Sequence, residues 1–472
     1  MKKVLILGAG LVSRPHVNYL LAQKDFLVTV TSRTVSKAEK LVADHPRGTP
    51  VELNVKDDDM LDKLVSEHDL AVSLLPYTYH VKVAKLCIKH AKHMVTTSYV
   101  SDAMRELDAQ AREADVLLLN EIGVDPGIDH MSAMRVIDGV KEKNGRIVSF
   151  KSFCGGLPAP EANTNPWGYK FSWSPRGVVM AGKNSAKWLE DGKIIDVHGQ
   201  ELFAHHWEVE IPEFGKLEGY PNRNSVPYVD IYGIKDTKTM FRGTLRYPGW
   251  CATMKKIVDL GFLDGEKEYD LEGLTYADFM KKFVTVKTHK TLKENLAAQW
   301  DIPIDANPIY RVEWLGLLSD EKIGLQKGTA MDVFCNALNE KLTYEPGERD
   351  LLVLHHEFIA EFPDKKQNIT STMINYGIPN EDSSMSRTVG LPAAIAVTLI
   401  LQGKIQEKGV KIPVNPEIYL PVLDELKNQN IECVERICFL GFSQPVWTCV
   451  RPAFCPCRPL RSQPCTLHLR CG

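Results

Sequence analysis

The chain has 472 residues, with 57 lysines and arginines against 60 aspartates and glutamates and a formal net charge of −3, so no basic surface is available for nucleic acid or an anionic membrane. Its 44% hydrophobic and 25% charged residues are those of a globular protein of roughly two to four domains. The longest apolar run, 391–401, falls short of the ~18 residues of a bilayer span and reads as a buried helix.

In chain order, Val4-Leu5-Ile6-Leu7 is an unbroken apolar run, the pattern of a parallel strand buried on both faces. Gly8-Ala9-Gly10 follows, and a helix opens with Pro15 in its first turn and Val17, Leu20 and Leu21 on one face. Strand, Gly-x-Gly turn and helix in that order suit a dinucleotide: Gly8 allows the tight turn, and Gly10 lets backbone approach a pyrophosphate at the positive helix end. Ser13 stands where the fingerprint usually has its third glycine. A second strand, 26–31, ends at Ser32-Arg33 with no acidic residue to accept from a ribose 2′-OH. Arg33, beside the Ser32 hydroxyl, suits a 2′-phosphate, which favours NADP over NAD.

Strands are expected at 51–54, 69–76, 93–97 and 116–120, with helices between them, including one over 102–114. Six strands in the first 120 residues predict a doubly wound parallel sheet, whose ligands lie beyond the carboxyl ends of its strands. Leu75-Pro76-Tyr77, Thr97-Ser98-Tyr99 and Asn120-Glu121-Ile122-Gly123 occupy those ends. From Val124 the texture changes. A turn-rich stretch, Asp125-Pro126-Gly127-Ile128-Asp129-His130, opens a helix over 131–140, and strand 147–153 runs into Cys154-Gly155-Gly156. Dense Gly, Pro and aromatic residues up to Trp250, with alternation at 207–211, predict antiparallel strands of a second, α+β domain. Residues 255–342 carry helical periodicity and read as an insertion; 350–362 and 369–375 read as a hairpin returning to the second sheet. Helix 386–403 is apolar enough to pack back on the first domain. The expected division is therefore 1–123, completed by 386–437; 124–254 with 343–385; the helical insertion 255–342; and a tail, 438–472.

The cysteines are uneven. Cys87, Cys154, Cys251, Cys335 and Cys433 are sparse, as reduced cytosolic thiols are, while six more crowd the tail. The tail lacks acidic residues and the paired Cys-x-x-Cys spacing of a zinc site; it is expected to be disordered, and no metal is expected anywhere. The first strand begins by residue 4, so no leader is expected and the chain is read as cytoplasmic. For proton transfer the candidates are Asp125, Tyr99, Cys154 and His130: a desolvated Asp can take a proton from an amine, and Tyr or Cys can position a water. Asp129 is also suited to capping the helix that follows. Two segments, Tyr220-Pro221-Asn222-Arg223 and Arg242-Gly243-Thr244-Leu245-Arg246-Tyr247, offer arginine forks for carboxylates; internal salt bridges are the alternative use.

These motifs, with Ser73-Leu74-Leu75-Pro76-Tyr77, Val95-Thr96-Thr97-Ser98-Tyr99, Cys154 to Glu161, Tyr169-Lys170-Phe171-Ser172-Trp173-Ser174 and Arg387-Thr388-Val389-Gly390-Leu391-Pro392, resemble the glutamate-forming saccharopine dehydrogenases of lysine metabolism, in order from residue 3 to about 437. The resemblance implies a Rossmann-like domain, an α+β domain that dimerises, and a homodimer. It also implies interconversion of saccharopine with L-glutamate and 2-aminoadipate 6-semialdehyde, with NADP as cofactor. By position it implies Ser98, Tyr99, Asp125, Arg223, Thr244 and Arg246 for substrate, and Gly8, Gly10, Leu11, Val12, Ser13, Ser32, Arg33, Leu75 and Thr97 for cofactor. The rivals are a carboxyspermidine-type imine reductase, which would need an acidic pocket, and an inert NADP-binding sensor or scaffold.

Overall fold

A computed structural model describes residues 1–440 and 447–448. The expectations for the rest of the cysteine-rich tail, including Cys455-Pro456-Cys457, lie outside the described residues.

The first unit is a seven-stranded sheet in the order Gly409–Lys411, Leu117–Leu119, His93–Val95, Leu70–Ser73, Lys2–Leu7, Phe26–Ser32, Gly48–Glu52. Every pairing in it is parallel. Six strands come from the first 120 residues, as the alternation predicts; the seventh arrives from residue 409. Val4 to Leu7 are fully buried because helices cover both faces. Lys2–Leu7 pairs with Phe26–Ser32 on one side and Leu70–Ser73 on the other, so the strand order reverses beside it and the Gly8–Gly10 turn stands at the switch point. The helix expected over 102–114 is two short ones, Asp102–Arg105 and Asp108–Glu113, the first capped by Ser101.

The second sheet has ten strands and is mixed. Its centre is Arg146–Pro158, paired in parallel with Thr239–Arg246 and antiparallel with Asp350–Glu361. The antiparallel pairing expected around 207–211 forms, with Gly215–Pro221 as partner; the central parallel pair is one that pattern does not show, because residues 159–238 cross over rather than turn back as a hairpin. The hairpin Asp350–Glu361 with Lys366–Tyr376 forms as expected. The next strand, Val434–Leu440, pairs with Lys366–Tyr376. Residues 434–437, assigned by sequence to the first unit, therefore belong to the second sheet, and Cys438 continues that strand as a buried residue. A short strand has no periodicity to say which of two sheets it will join.

Helix Ser384–Leu401 is the one helix among the described residues long and apolar enough to cross a bilayer, yet it is mostly buried. It packs on Ser13–Ala22 and Pro416–Asn428, and a Cβ on Gly390 would come within 2.7 Å of the Val12 carbonyl. One core joins these helices to the second sheet. A second lies between the sheet's other face and helices Trp250–Asp259, Tyr276–Met280, Leu292–Trp300, Asn307–Trp314 and Ala330–Lys341. Capping boxes at Thr291/Glu294 and Thr329/Asp332 start two of those helices.

Candidate active site

At the switch point, Gly8 adopts φ +122°, and a Cβ there would sit 2.9 Å from the Leu74 carbonyl oxygen, so the turn requires glycine. A Cβ on Gly10 would meet nothing within 4 Å, which leaves open space above the loop. Ser13 is buried and turned inward: its Oγ accepts from the Gly10 N–H at 3.0 Å and donates to the Gly8 carbonyl at 3.2 Å. The hydroxyl thus braces the loop from within. Helix Ser13–Ala22 starts with no side-chain cap and no acidic residue in its first turn, leaving its positive end for an anion. Leu11 is 72% exposed on that loop, and Val12 occupies the N-cap position. At the next strand end Ser32 Oγ accepts from the Thr34 N–H, and the exposed Arg33 has no ion-pair partner among the described residues. These features fit a dinucleotide carrying a 2′-phosphate.

Leu75 and Thr97 stand at neighbouring strand ends, and Thr97 packs close to Gly123. Ser98 Oγ lies 2.8 Å from His80 Nε2, whose Nδ1 lies 2.8 Å from Ser73 Oγ. Burial pulls His80 down to about 4, so the ring is neutral and ties two strand ends together. His80 carries no motif, and sequence reasoning passed over it.

Asp125 sits on a turn that only glycine completes. Gly127 has φ +147°, and a Cβ there would fall 2.0 Å from the Gly123 carbonyl oxygen. Tyr99 OH donates to Asp125 Oδ1 at 3.0 Å, and Arg242 Nη2 also bonds Oδ1. The same guanidinium reaches Asp129 Oδ2 at 2.6 Å and stacks over the Tyr228 ring at 4.6 Å. Two carboxylates therefore share one buried cation. Burial, then the Asp129 charge, raise Asp125 above the usual carboxylate range against the pull of Arg242. For Asp129 burial also pushes upward, but His130, Arg242 and the Gly127 N–H together hold it below that range. Neighbouring carboxyls with pKa values driven apart form an acid–base arrangement. Asp125 Oδ1 is held, its side chain keeps 15% exposure, and Oδ2 has no hydrogen bond among the described residues.

Behind this pair, His130 Nε2 lies 2.8 Å from Glu121 Oε2 and Nδ1 lies 2.6 Å from Tyr232 OH. Glu121 also accepts from the Val100 N–H at 2.9 Å, which anchors the loop that carries Tyr99. Asp129 does not take the helix-capping position expected of it, because the helix begins at Ile128 with Gly127 at its N-cap; its carboxylate instead accepts from the Gly127 N–H and holds Arg242, a role no local signal shows. Cys154 lies beside Thr244 in register on the neighbouring strand. Burial, helped by Asp125 and Asp129, pushes its thiol well above the usual value, so it is a neutral donor and not a thiolate.

The arginines differ sharply. Arg242 is spent on Asp125 and Asp129. Arg246, on the same strand face four residues later, is buried with no carboxylate partner among the described residues, and its guanidinium bonds the Leu245 carbonyl. Its guanidinium lies 4.8 Å from the Tyr169 ring and 5.4 Å from the Trp250 ring. Arg223, at φ +55°, is exposed and stacks on Tyr99 at 5.2 Å, also without an ion pair among the described residues. The structure thus brings Tyr99, Asp125 and Arg223 together, and sets Cys154, Thr244 and Arg246 along the adjoining strands.

Residues 4–119 match the model of the saccharopine dehydrogenase NADP binding domain, and residues 123–431 match the saccharopine dehydrogenase C-terminal domain. The chain is 42% identical over 456 residues to a saccharopine dehydrogenase [NADP(+), L-glutamate-forming] of Pyricularia oryzae, covering 92% of this chain and 99% of that one. It is 40% identical over 451 residues to the enzyme of the same name from Schizosaccharomyces pombe, covering 93% and 99%. Among solved structures, apo histidine-tagged saccharopine dehydrogenase (L-Glu forming) from Saccharomyces cerevisiae superposes with a TM-score of 0.85 at 40% identity, covering 93% of this chain and all of that one. With both family domains matched in order on the two sheets just described, the chain belongs to the saccharopine dehydrogenase family.

Proposed function

We propose that this protein is an NADP-dependent oxidoreductase of lysine biosynthesis that condenses L-glutamate with 2-aminoadipate 6-semialdehyde and reduces the imine to saccharopine, reversibly. The observation that carries this reading is a raised carboxyl, Asp125, near two arginines with no ion-pair partner among the described residues, Arg223 and Arg246. The family relationship names the reaction. NADP is held by the Gly8–Gly10 turn, the open end of helix Ser13–Ala22 and Arg33, with Leu11, Val12, Ser32, Leu75 and Thr97 beside it, and supplies the hydride when bound.

The chain's own residues manage protons and charge. Glutamate's nitrogen bonds to the aldehyde carbon, and the resulting carbinolamine must lose water. Asp125, whose hold on a proton is strengthened by burial, gives a proton from Oδ2 to the departing hydroxyl and as a carboxylate takes one back from the nitrogen. Burial holds the Tyr99 phenol well above its usual pKa, so it stays a donor to Asp125 Oδ1 and fixes the carboxyl's orientation. Cys154, as a thiol, positions the water. Ser98, Arg223, Thr244 and Arg246 bind the carboxylates of an intermediate that carries three. At the reaction centre the two acids, Asp125 and Asp129, are tied to Arg242, which disfavours a polyamine there.

The test is NADPH oxidation by purified protein given both substrates, repeated with NADH. Turnover requiring both substrates and faster with NADPH supports the reading. Tight NADPH binding without turnover would replace it with the sensor. The resemblance also supports a cytoplasmic homodimer, checked by sedimentation and by fractionation of cells. The matched models support a division near residue 120, and the packing of Ser384–Leu401 on Ser13–Ala22 and the pairing of Gly409–Lys411 with Leu117–Leu119 support a return of the chain to the first unit from about residue 386; limited proteolysis checks it.

A further inference from the structure

Among the described residues, ten buried side-chain polar atoms have no hydrogen-bond partner, and four of them adjoin the Arg246 region: Arg246 Nε, Trp250 Nε1, Tyr169 OH and Ser172 Oγ. Buried polar atoms are normally satisfied, so a cluster of orphans calls for an explanation. Nε and Nε1 can only donate, and the two hydroxyls can donate. The Tyr169 hydroxyl has Trp173, another donor, beside it. At their centre is a cation with no carboxylate partner. The rings of Tyr169, Trp250 and Tyr220 face the guanidinium at 4.8, 5.4 and 6.0 Å, which eases its burial but supplies no acceptor. By contrast Arg311, the other arginine against this helix start, satisfies its guanidinium on two carbonyls and Thr253 Oγ1.

The box adjoins the strand that carries Cys154. Gly156 lies on the strand face two residues beyond Cys154, and a Cβ there would lie 3.7 Å from Ser172 Oγ. Ser172 in turn lines a cavity of about 430 Å³ that reaches Leu11 of the dinucleotide turn. Cys154 feels both Asp125 and Arg246, so it stands between the box and the acid–base pair. Unfilled donors around one uncompensated positive charge describe the complement of a carboxylate, whose two oxygens offer about four lone-pair sites.

We propose that Ser172, Tyr169 and Trp250 join Arg246 as the donor set of a pocket for one α-amino-acid carboxylate of the substrates. This rests on the reading of Arg246 as a substrate-binding residue. The occupant's carboxylate comes from glutamate or from the semialdehyde, and kinetics with each substrate varied in turn distinguish them.

The experiment compares Ser172→Ala, Tyr169→Phe and Arg246→Leu in the full-length protein. Each hydroxyl deletion is expected to raise KM about tenfold for one of the two amino-acid substrates, the same one that Arg246→Leu affects, with kcat changed less than threefold. NADPH affinity, read by fluorescence quenching, stays unchanged. Tm is expected to hold or rise in Ser172→Ala, which removes a buried hydroxyl without a partner, and to hold in Tyr169→Phe, whose hydroxyl meets only the Trp173 donor. A merely structural role would lower Tm and leave KM alone. If Arg246→Leu raises KM while both hydroxyl variants leave it within twofold, the pocket proposal falls and Arg246 keeps its role. If Arg246→Leu leaves both KM values unmoved, the underlying reading of the site falls first.

Discussion

Arg242 and Arg246 lie four residues apart on one strand face, both buried, and the structure predicts opposite consequences for their removal. Arg242→Leu leaves Asp125 and Asp129 facing each other without their shared cation. Breaking a buried pair costs roughly 3–5 kcal/mol, and Asp125's partial exposure and freedom to take a proton put this case near 3 kcal/mol. At roughly 2–4 °C per kcal/mol for a unit of 150–250 residues, Tm should fall by about 6–12 °C. Arg246→Leu removes a cation that has no carboxylate to strand. It loses ring contacts worth about 1–2 kcal/mol and gains by no longer burying an uncompensated charge, so Tm should move by less than about 4 °C. The pH dependence adds a signed check. Without Arg242, the main group holding it down, Asp125 has a folded pKa still further above its unfolded one, so the stability its protonated form allows is lost as pH rises through the folded value; Asp129 keeps His130 and the Gly127 N–H. Thermal scans at one scan rate, at pH 6 and pH 8.5, should therefore show a larger Arg242→Leu deficit at pH 8.5. Equal losses for the two variants, or a deficit that shrinks as pH rises, would refute the assignment of Arg242 to the acids and Arg246 to the substrate.

Asp125→Asn should lower kcat by about 10²–10⁴ and abolish one limb of the pH–rate profile while leaving NADPH affinity intact, which stopped-flow binding and a pH series would check. Arg33→Glu should shift cofactor preference toward NADH by about 10–100-fold, the value of a lost charge-assisted contact, measured as the ratio of kcat/KM for the two cofactors. Acid should destabilise the fold. Burial lowers His16 and His80 to about 4 and His356 to about 3, so each binds a proton more readily unfolded. Stability contributed by the neutral rings is present above pH 6.5 and is lost as pH falls toward 4, at roughly 2 kcal/mol each by pH 5. A Tm flat between pH 7 and 5 would contradict these burials.

Much of the first unit is written locally. Val4 to Leu7, the glycine turn and the repeat of strand and helix depend on patterns a few residues long, and six of the seven parallel strands follow from them; the seventh, Gly409–Lys411, does not. The same holds for Gly8, whose φ and close approach to Leu74 only glycine tolerates, and for the missing acid before Arg33. The chemistry of the second unit is not local. Period-two alternation puts Arg242, Thr244 and Arg246 on one strand face, but no local pattern says that Asp129, 113 residues away, neutralises one arginine and that no acid reaches the other. Nor does it say that Glu121 and His80, outside any motif, hold the loop that carries Ser98 and Tyr99, or that 434–440 pairs with the second sheet. Turns and strand periods are set by each residue's own backbone and immediate neighbours. Charge pairing, burial and pKa are set by whatever long-range register brings within a few ångströms, and only the folded chain decides that.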